Sequence, residues 1–147
     1  MGCWREQALI DAPIEEVWDL VGDPRRYPEM VGDEVLEVTG LPTIEKGAEF
    51  EQVTRSPFGK AKTTFEIDEL EDLHRIRMRC LESGWYSRWN LTEADGGTFA
   101  DVEIGMEPTK PGYRAMDTAL GKRWYRRVAR KSIDGLKSAL GRDRVSS

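Results

Sequence analysis

The segment that decides the fold covers residues 113–140, which read YRAMDTALGKRWYRRVARKSIDGLKSAL. It contains no proline, and as a helix of 28 residues it would be about 42 Å long. No other segment could form a helix of that size. Its apolar residues recur at helical spacing in two sets, which are Met116, Leu120, Trp124 and Val128, then Ile133, Leu136 and Leu140. We therefore predict one long C-terminal helix around which the rest of the chain is organised.

The two apolar sets do not share one face of that helix. At about 100° per residue, the second set is rotated from the first by more than a quarter turn. Gly121 lies in the first half, where its poor helix propensity makes a kink inexpensive. We predict that the C-terminal half packs on a sheet and that the N-terminal half covers a cavity.

The same helix is strongly basic. From Lys110 onward the chain has 11 Lys/Arg and 3 Asp/Glu, a net charge of +8, whereas residues 1–109 have 11 and 24, a net charge of −13. Such a helix could contact nucleic acid or an anionic membrane surface. We favour the interpretation that these charges are solvated and complement the acidic remainder of the chain. The basic residues surround much of the helix, and no aromatic stacking platform accompanies them.

Length and composition indicate a single domain over residues 1–147, large enough to fold without a disulfide or metal. Cys3 and Cys80 form no CxxC pair, and with one histidine, His74, no metal site and no cofactor are predicted. The sequence shows no secretory segment and no apolar run of about 18 residues. It is typical of a cytoplasmic protein with reduced thiols.

The first forty residues predict a strand and two short helices. Residues 4–10 form the strand, Asp11-Ala12-Pro13 opens a helix with acidic residues in its first turn, and Gly22-Asp23-Pro24 ends it. A second short helix follows over about 24–30, and residues 33–39 form another strand.

An antiparallel meander follows, with alternating runs at 47–55, 60–70, 74–82, 85–93 and 98–107. A hairpin centred on Asp95-Gly96 pairs Arg88 with Glu103 and Trp89 with Val102. A hairpin centred on Glu71-Asp72 pairs Phe65 with Met78. A turn at Ser83-Gly84 places Arg79 opposite Arg88, which is unfavourable.

These registers arrange the inward side chains of the meander in rows. An aromatic and apolar row contains Phe50, Phe65, Met78, Trp89 and Val102. The next row is mostly polar and contains Gln52, Thr63, Cys80, Ser87 and Ile104. A third contains Thr54, Ala61, Trp85 and Met106. Small polar groups between aromatic rows are typical of a cavity that orients an apolar guest, and we expect a volume above about 300 Å³.

The stretch from Ile10 to Met30, IDAPIEEVWDLVGDPRRYPEM, resembles the opening of the START-like or SRPBCC superfamily, as does the ending Gly135-Leu136-Lys137-Ser138-Ala139-Leu140. The polyketide cyclase/dehydrase and lipid-transport branch is the most similar. The resemblance implies an α+β helix-grip fold, in which a curved antiparallel sheet of about six or seven strands wraps around the long helix and two short helices follow the first strand.

The resemblance also implies a hydrophobic tunnel between sheet and helix that binds a lipid, a polyketide or a similar small apolar ligand. Met116, Leu120 and Trp124 would wall it, and Tyr27 and Met30 would lie near its mouth. The first alternative is a cyclase or dehydrase that uses the same cavity. A further alternative, favoured less, is a quinone-binding or ribosome-associated protein, because only Tyr27-Pro28-Glu29 is similar to that branch.

The inward polar residues Gln52, Thr63, Cys80 and Ser87 are the candidates for contacting a ligand. A neutral buried cysteine usually packs as a small apolar residue, and a hydroxyl without a base is a poor nucleophile. No general acid and base pair is evident, so no catalytic residue is assigned. A cyclase could still fold its substrate in the tunnel while hydroxyls polarise a carbonyl.

Overall fold

In the computed structural model, a single antiparallel sheet is combined with one long helix and two short ones. The structure describes the backbone of residues 2–32 and 34–146, and side chains up to residue 141. In chain order the elements are β1 (Cys3–Ile10), α1 (Ile14–Val21), a 3-10 turn (Pro24–Arg26), α2 (Tyr27–Val31), β2 (Val35–Thr39), β3 (Glu49–Ser56), β4 (Gly59–Glu71), β5 (Arg75–Cys80), β6 (Trp85–Ala94), β7 (Gly97–Met106) and α3 (Pro111–Ser146).

The sheet has seven strands in the order β1-β7-β6-β5-β4-β3-β2. With α3 against it and two short helices after β1, the architecture is the predicted α+β helix grip. The strand predicted over 33–39 is observed as β2, and residue 33 lies outside the described residues. No helix in the described part of the chain is long and apolar enough to span a membrane.

The short helices are set by local sequence signals. Pro13 precedes α1, and Glu15 and Glu16 occupy the first turn, where the helix dipole favours negative charge. The Tyr27 hydroxyl donates to the Val21 carbonyl at 2.7 Å and so joins α2 to α1. As a result, α2 is held against the end of the sheet, beside the space enclosed by α3.

Helix α3 is interrupted at Gly121, the position where the sequence makes a kink inexpensive. Gly121 has φ 64° and ψ −179°, a conformation that is essentially restricted to glycine. Met116 and Leu120 before the break and Trp124 just after it are half-buried, whereas Ile133, Leu136 and Leu140 are buried, and so is Val128 of the first predicted set. The two parts of α3 therefore have different packing environments.

The part of α3 beyond Gly121 is packed closely against the rest of the fold. Helix α3 as a whole contacts β1, β7 and α2. A Cβ at Gly135 would lie 1.9 Å from the Met30 carbonyl oxygen, so glycine is required for the close approach of α2 and α3. This contact fixes Met30 relative to the helix.

Two of the predicted registers are confirmed. In the β6–β7 hairpin Arg88 lies opposite Glu103, Trp89 opposite Val102 and Trp85 opposite Met106. In the β3–β4 hairpin the pairs are Phe50 with Phe65, Gln52 with Thr63 and Thr54 with Ala61, as the predicted rows require.

The registers of β5 with both of its neighbours were wrong. Phe65 lies opposite Cys80 rather than Met78, because β4 continues to Glu71, a three-residue turn with Leu73 at φ 66° follows, and the pairing shifts between Ile67 and Glu69. Arg79 lies opposite Tyr86 rather than Arg88, because the β5–β6 connection is longer than two residues.

These shifts remove the predicted polar row but keep its members on the inner face. Ser87 lies between Met78 and Ile104, and Cys80 lies opposite Phe65. A displacement by two residues preserves the face on which a side chain lies. The polar groups are therefore dispersed among apolar ones instead of forming one band.

The outer face of the sheet contains charge pairs, of which Arg88 with Glu103, at 3.9 Å, was predicted. Arg88 contacts Glu69 at 3.0 Å, and Arg5 contacts Asp101 at 3.1 Å. Arg77 bonds to Asp68 and Glu107, and its guanidinium lies 4.4 Å from the centre of the Tyr86 ring. Because the Arg77 side chain is only 11% exposed, this residue is an integral part of the outer layer.

Several basic side chains of α3 have partners within the fold. Lys131 pairs with Glu34 at 3.0 Å, and Arg130 approaches Glu6 at 3.4 Å. Arg126 lies 5.6 Å from the Trp4 ring centre, and Arg127 lies 5.6 Å from that of Trp124. Two of these basic side chains thus pair with acidic residues, and two lie over aromatic rings.

Candidate functional site

A pocket lies between the inner face of the sheet and α3, with a volume of about 160 Å³. The expected volume above about 300 Å³ was wrong, and the bulky side chains of Trp85, Leu120 and Trp124 are among those that line the smaller space. A dry cavity of about 150 Å³ is large enough for benzene. In this conformation the pocket therefore accommodates a molecule of about one ring.

The walls of the pocket come from both layers of the fold. The sheet contributes inward side chains of β3 to β7, α2 contributes one end, and α3 covers the opposite side. The sequence-predicted residues that line it are Tyr27, Met30, Gln52, Thr63, Phe65, Met78, Cys80, Trp85, Ser87, Trp89, Ile104, Met116, Leu120 and Trp124.

Two of the predicted site residues do not line the pocket. Phe50 is buried against Phe65, with ring centres 5.9 Å apart, and of these two Phe65 lines the pocket. Val102 is fully buried, opposite Trp89 on one side and Glu6 on the other. Both belong to the hydrophobic core.

The mouth of the pocket is formed by the β3–β4 hairpin and the first turn of α3. Arg55, Ser56 and Gly59 line it from the hairpin, and Tyr113 lines it from the helix. Phe58 is exposed at the tip of the same hairpin. The part of α3 before Gly121 therefore lies directly over the entrance.

The sequence analysis missed Glu34, which the structure places in the pocket wall. It is 7% exposed, and its backbone carbonyl accepts a hydrogen bond from Arg55 N at 2.8 Å. Its Oε1 lies 3.0 Å from Lys131 Nζ, while Oε2 is buried without a hydrogen-bond partner. An unpaired buried acceptor costs about 1–3 kcal/mol, and more when it is charged.

Gln52 presents a second open acceptor to the pocket. The residue is 3% exposed, projects inward from β3, and its Oε1 has no hydrogen-bond partner. Thr63 lies directly opposite on β4, and Thr54 is the next inward residue on β3. This predicted site residue is thus polar, buried and available to a ligand.

Two hydroxyl donors in the pocket wall are already engaged. The Tyr27 hydroxyl donates to Val21, and the Ser132 hydroxyl donates to the Val128 carbonyl at 2.8 Å. Burial, reinforced by the charge of Asp23, raises the pKa of Tyr27 well above its ordinary value, so it remains a neutral donor. The acceptors of Gln52 and Glu34 have no such partners.

Cys80 is held by contacts in the β5–β6 turn. Its Sγ lies 3.5 Å from Glu82 Oε2 and accepts from the backbone N–H of Ser83 at 3.5 Å. The residue is buried and lines the pocket. Its thiol thus stabilises the turn that closes one end of the pocket.

Within the described residues, no three His, Cys, Asp or Glu side chains are grouped closely enough to hold a metal ion. Among the residues that line the pocket, Glu34 is the carboxylate and no histidine occurs. The site thus combines an apolar wall, two open acceptors and an arginine at the mouth.

A family model described as "Polyketide cyclase / dehydrase and lipid transport" matches residues 1–141. No curated protein resembles the chain closely enough to count as a match.

Solved structures with the same fold span nearly the whole chain. Protein TTHA0849 from Thermus thermophilus is 19% identical, with a TM-score of 0.72 over 95% of this chain and 97% of that one. Protein NE0264 from Nitrosomonas europaea is 16% identical, with a TM-score of 0.69 over 98% and 97%. Protein BH1534 from Bacillus halodurans is 21% identical, with a TM-score of 0.66 over 95% and 94%. At these identities the similarity shows the fold alone.

Proposed function

Because the chain belongs to the polyketide cyclase/dehydrase and lipid-transport family, we propose that it binds a small apolar molecule in the pocket between its sheet and α3. The observation that carries this proposal is the lining itself. Aromatic and methionine side chains from two layers surround a space that the protein does not fill. Such a lining with a few polar groups is typical of a ligand site.

The free energy of ligand binding would come from covering apolar surface of the pocket wall. Trp85, Met116, Leu120 and Trp124 are only half-buried, although they lie in the interior between sheet and helix. Removing such surface from water contributes about 25 cal/mol per Å². A one-ring ligand gains from these contacts without any change in the fold.

A larger ligand requires the part of α3 before Gly121 to move. That part forms the entrance and carries Met116 and Leu120, and the chain beyond Gly121 is anchored by Val128, Ile133 and Leu136. Rotation about Gly121 would widen the pocket while the anchored part stays in place. The ligand range of the protein then depends on this segment.

Native mass spectrometry of the purified protein tests the proposal, together with extraction of the bound molecule. We expect an adduct that an organic solvent releases and that the variant Ser87→Phe lacks, because Ser87 lines the pocket and a phenyl ring would fill it. Thr92→Phe, which adds the same ring at an exposed position of the same strand, is the matched control. An adduct retained by Ser87→Phe would place the ligand elsewhere.

Glu34 favours a second candidate function, a cyclase or dehydrase that acts in the same pocket. A buried carboxylate with an open oxygen beside an apolar space is suited to removing a proton from carbon during ring closure. The test is an assay with a linear polyketone that can close to an aromatic ring. We expect Glu34→Gln to abolish turnover and Glu37→Gln, on β2, to leave it unchanged. Equal turnover of both variants would eliminate this role for Glu34.

A further inference from the structure

We infer that the pocket selects an apolar molecule that carries a neutral hydroxyl, such as a phenol or an alcohol, over the same molecule carrying a carboxylate. The inference rests on the proposed ligand-binding function and specifies its ligand class. The observations that carry it are the two buried, unpaired acceptor oxygens, Gln52 Oε1 and Glu34 Oε2.

Gln52 is suited to a hydroxyl group. Its side chain projects from β3 between the inward positions of Phe50 and Thr54, and its amide oxygen lacks a donor. A ligand hydroxyl can donate to this oxygen and can also accept from the amide N–H of the same side chain. A purely apolar ligand would leave the acceptor unpaired and even further from water.

Glu34 adds a second acceptor and determines which charge is tolerated. A carboxylate has only acceptor positions, and one of its oxygens is already bound to Lys131. The bond from Arg55 N to the Glu34 carbonyl places Glu34 beside β3, about 10 Å along the strand from Gln52. Both acceptors thus belong to one wall of the pocket.

A ligand carboxylate would meet unfavourable partners at this wall. It has no hydrogen to donate to Gln52 Oε1, and burying its charge in a region shielded from water is costly, with repulsion from Glu34 at about 10 Å adding a smaller part. Arg55 also lines the pocket, but it is exposed at the mouth, where solvent and salt screen its charge. Binding of an anion at Arg55 is therefore the competing outcome.

The inference is tested with three one-ring probes of matched shape: 4-methylphenol, toluene and 4-methylbenzoate. Each is titrated into the protein at neutral pH, and binding is followed by the NMR signals of Met78 and Met116. We expect 4-methylphenol to bind at least about ten-fold more tightly than 4-methylbenzoate. This comparison uses the unaltered protein and does not depend on the folding of any variant.

Variants then assign the preference to residues. Gln52→Leu should lower the affinity for 4-methylphenol relative to that for toluene by about ten-fold, and Glu34→Gln should reduce the discrimination against 4-methylbenzoate. Glu51→Gln, at an exposed position of the same strand, should change none of the three affinities. Thermal unfolding of each variant verifies that it is folded.

The possible failures are distinguishable. If 4-methylbenzoate binds as tightly as 4-methylphenol, or if Gln52→Leu weakens all three probes equally, the inferred selectivity is wrong although the pocket binds ligands. Tighter binding of 4-methylbenzoate that Arg55→Gln abolishes would establish the anion site at the mouth instead. If none of the three probes binds, the proposed function fails for ligands of this size and the inference fails with it.

Discussion

Tyr125 donates its hydroxyl hydrogen to Asp117 across the break at Gly121, so a buried hydrogen bond joins the two parts of α3. The backbone N–H of Gly2 lies 3.2 Å from each carboxylate oxygen of Asp117. Asp117 therefore connects the start of β1, the part of α3 over the pocket mouth and the anchored part of α3. This arrangement limits how far the entrance segment can move.

Removal of this hydrogen bond should destabilise the protein. We expect Tyr125→Phe to lower the free energy of unfolding by about 1–3 kcal/mol, because Asp117 then keeps a desolvated carboxylate with one donor fewer. Urea denaturation followed by circular dichroism measures the change. Tyr113→Phe, on the half-buried first turn of α3, is the control and should cost less than half as much.

Buried tyrosines should make stability fall at alkaline pH. Burial raises the pKa of Tyr27, Tyr86 and Tyr125, and hydrogen bonds to Glu103 and Asp117 raise those of Tyr86 and Tyr125 further. An unfolded tyrosine ionises near pH 10. Below that pH the contribution of the three tyrosines to stability is complete. Above it the unfolded chain loses protons that the folded protein retains, so the free energy of unfolding decreases as pH rises.

The measurement for this prediction is the free energy of unfolding at several values between pH 8 and pH 11. We expect the free energy of unfolding to decline less steeply above about pH 10 in Tyr86→Phe than in the unaltered protein. The reason is that the variant lacks the Tyr86 hydroxyl proton, which the folded protein retains and the unfolded chain loses. Identical slopes would mean that the Tyr86 environment is the same in the folded and unfolded states.

The break at Gly121 should not tolerate a side chain. At φ 64° and ψ −179° an alanine is strained, so Gly121→Ala should lower the free energy of unfolding by about 1–3 kcal/mol. Gly112→Ala, where a Cβ would meet nothing within 4 Å, is the matched control and should leave stability unchanged or slightly raised. If both alanines behave alike under urea denaturation, the helix is not broken at Gly121 in solution.

Arg77 should be more important for stability than any exposed arginine of the outer face. Its fork binds Asp68 and Glu107 and lies over Tyr86, a geometry that lysine cannot reproduce. We expect Arg77→Lys to cost about 1–3 kcal/mol in thermal or urea unfolding. Arg75→Lys, at a side chain that is 47% exposed, should cost less than about 0.5 kcal/mol. Equal costs would show that Arg77 is a solvated surface charge.

The fold could be predicted from the sequence because its signals are local and periodic. The helical spacing from Met116 to Leu140, the alternation in the meander and the Asp95-Gly96 turn each specify one element. Inward and outward faces depend only on parity, so they remained correct even where β5 was displaced by two residues.

The details of the site depend on features that periodicity does not encode. The turn at Asp72–His74 contains Leu73 in a conformation unusual for leucine, and this turn sets the β5 register. Glu34 and Glu37 are both acidic residues of the segment predicted as one strand. Glu34 is buried beside Lys131 of α3, whereas Glu37 is exposed. This difference depends on a long-range contact that the strand pattern does not encode.

The central claim is that an apolar ligand occupies the space between the sheet and α3. Its most direct test is an NMR titration of methionine-methyl-labelled protein with 4-methylphenol. Met78 on β5 and Met116 on α3 line different walls of the pocket, whereas Leu9 and Phe99 form an exposed apolar pair on the outer face. We predict saturable shifts of both Met78 and Met116 that Ser87→Phe abolishes. Unchanged methionine signals, or changes in a backbone-amide spectrum that are confined to residues around Leu9 and Phe99, would contradict the claim.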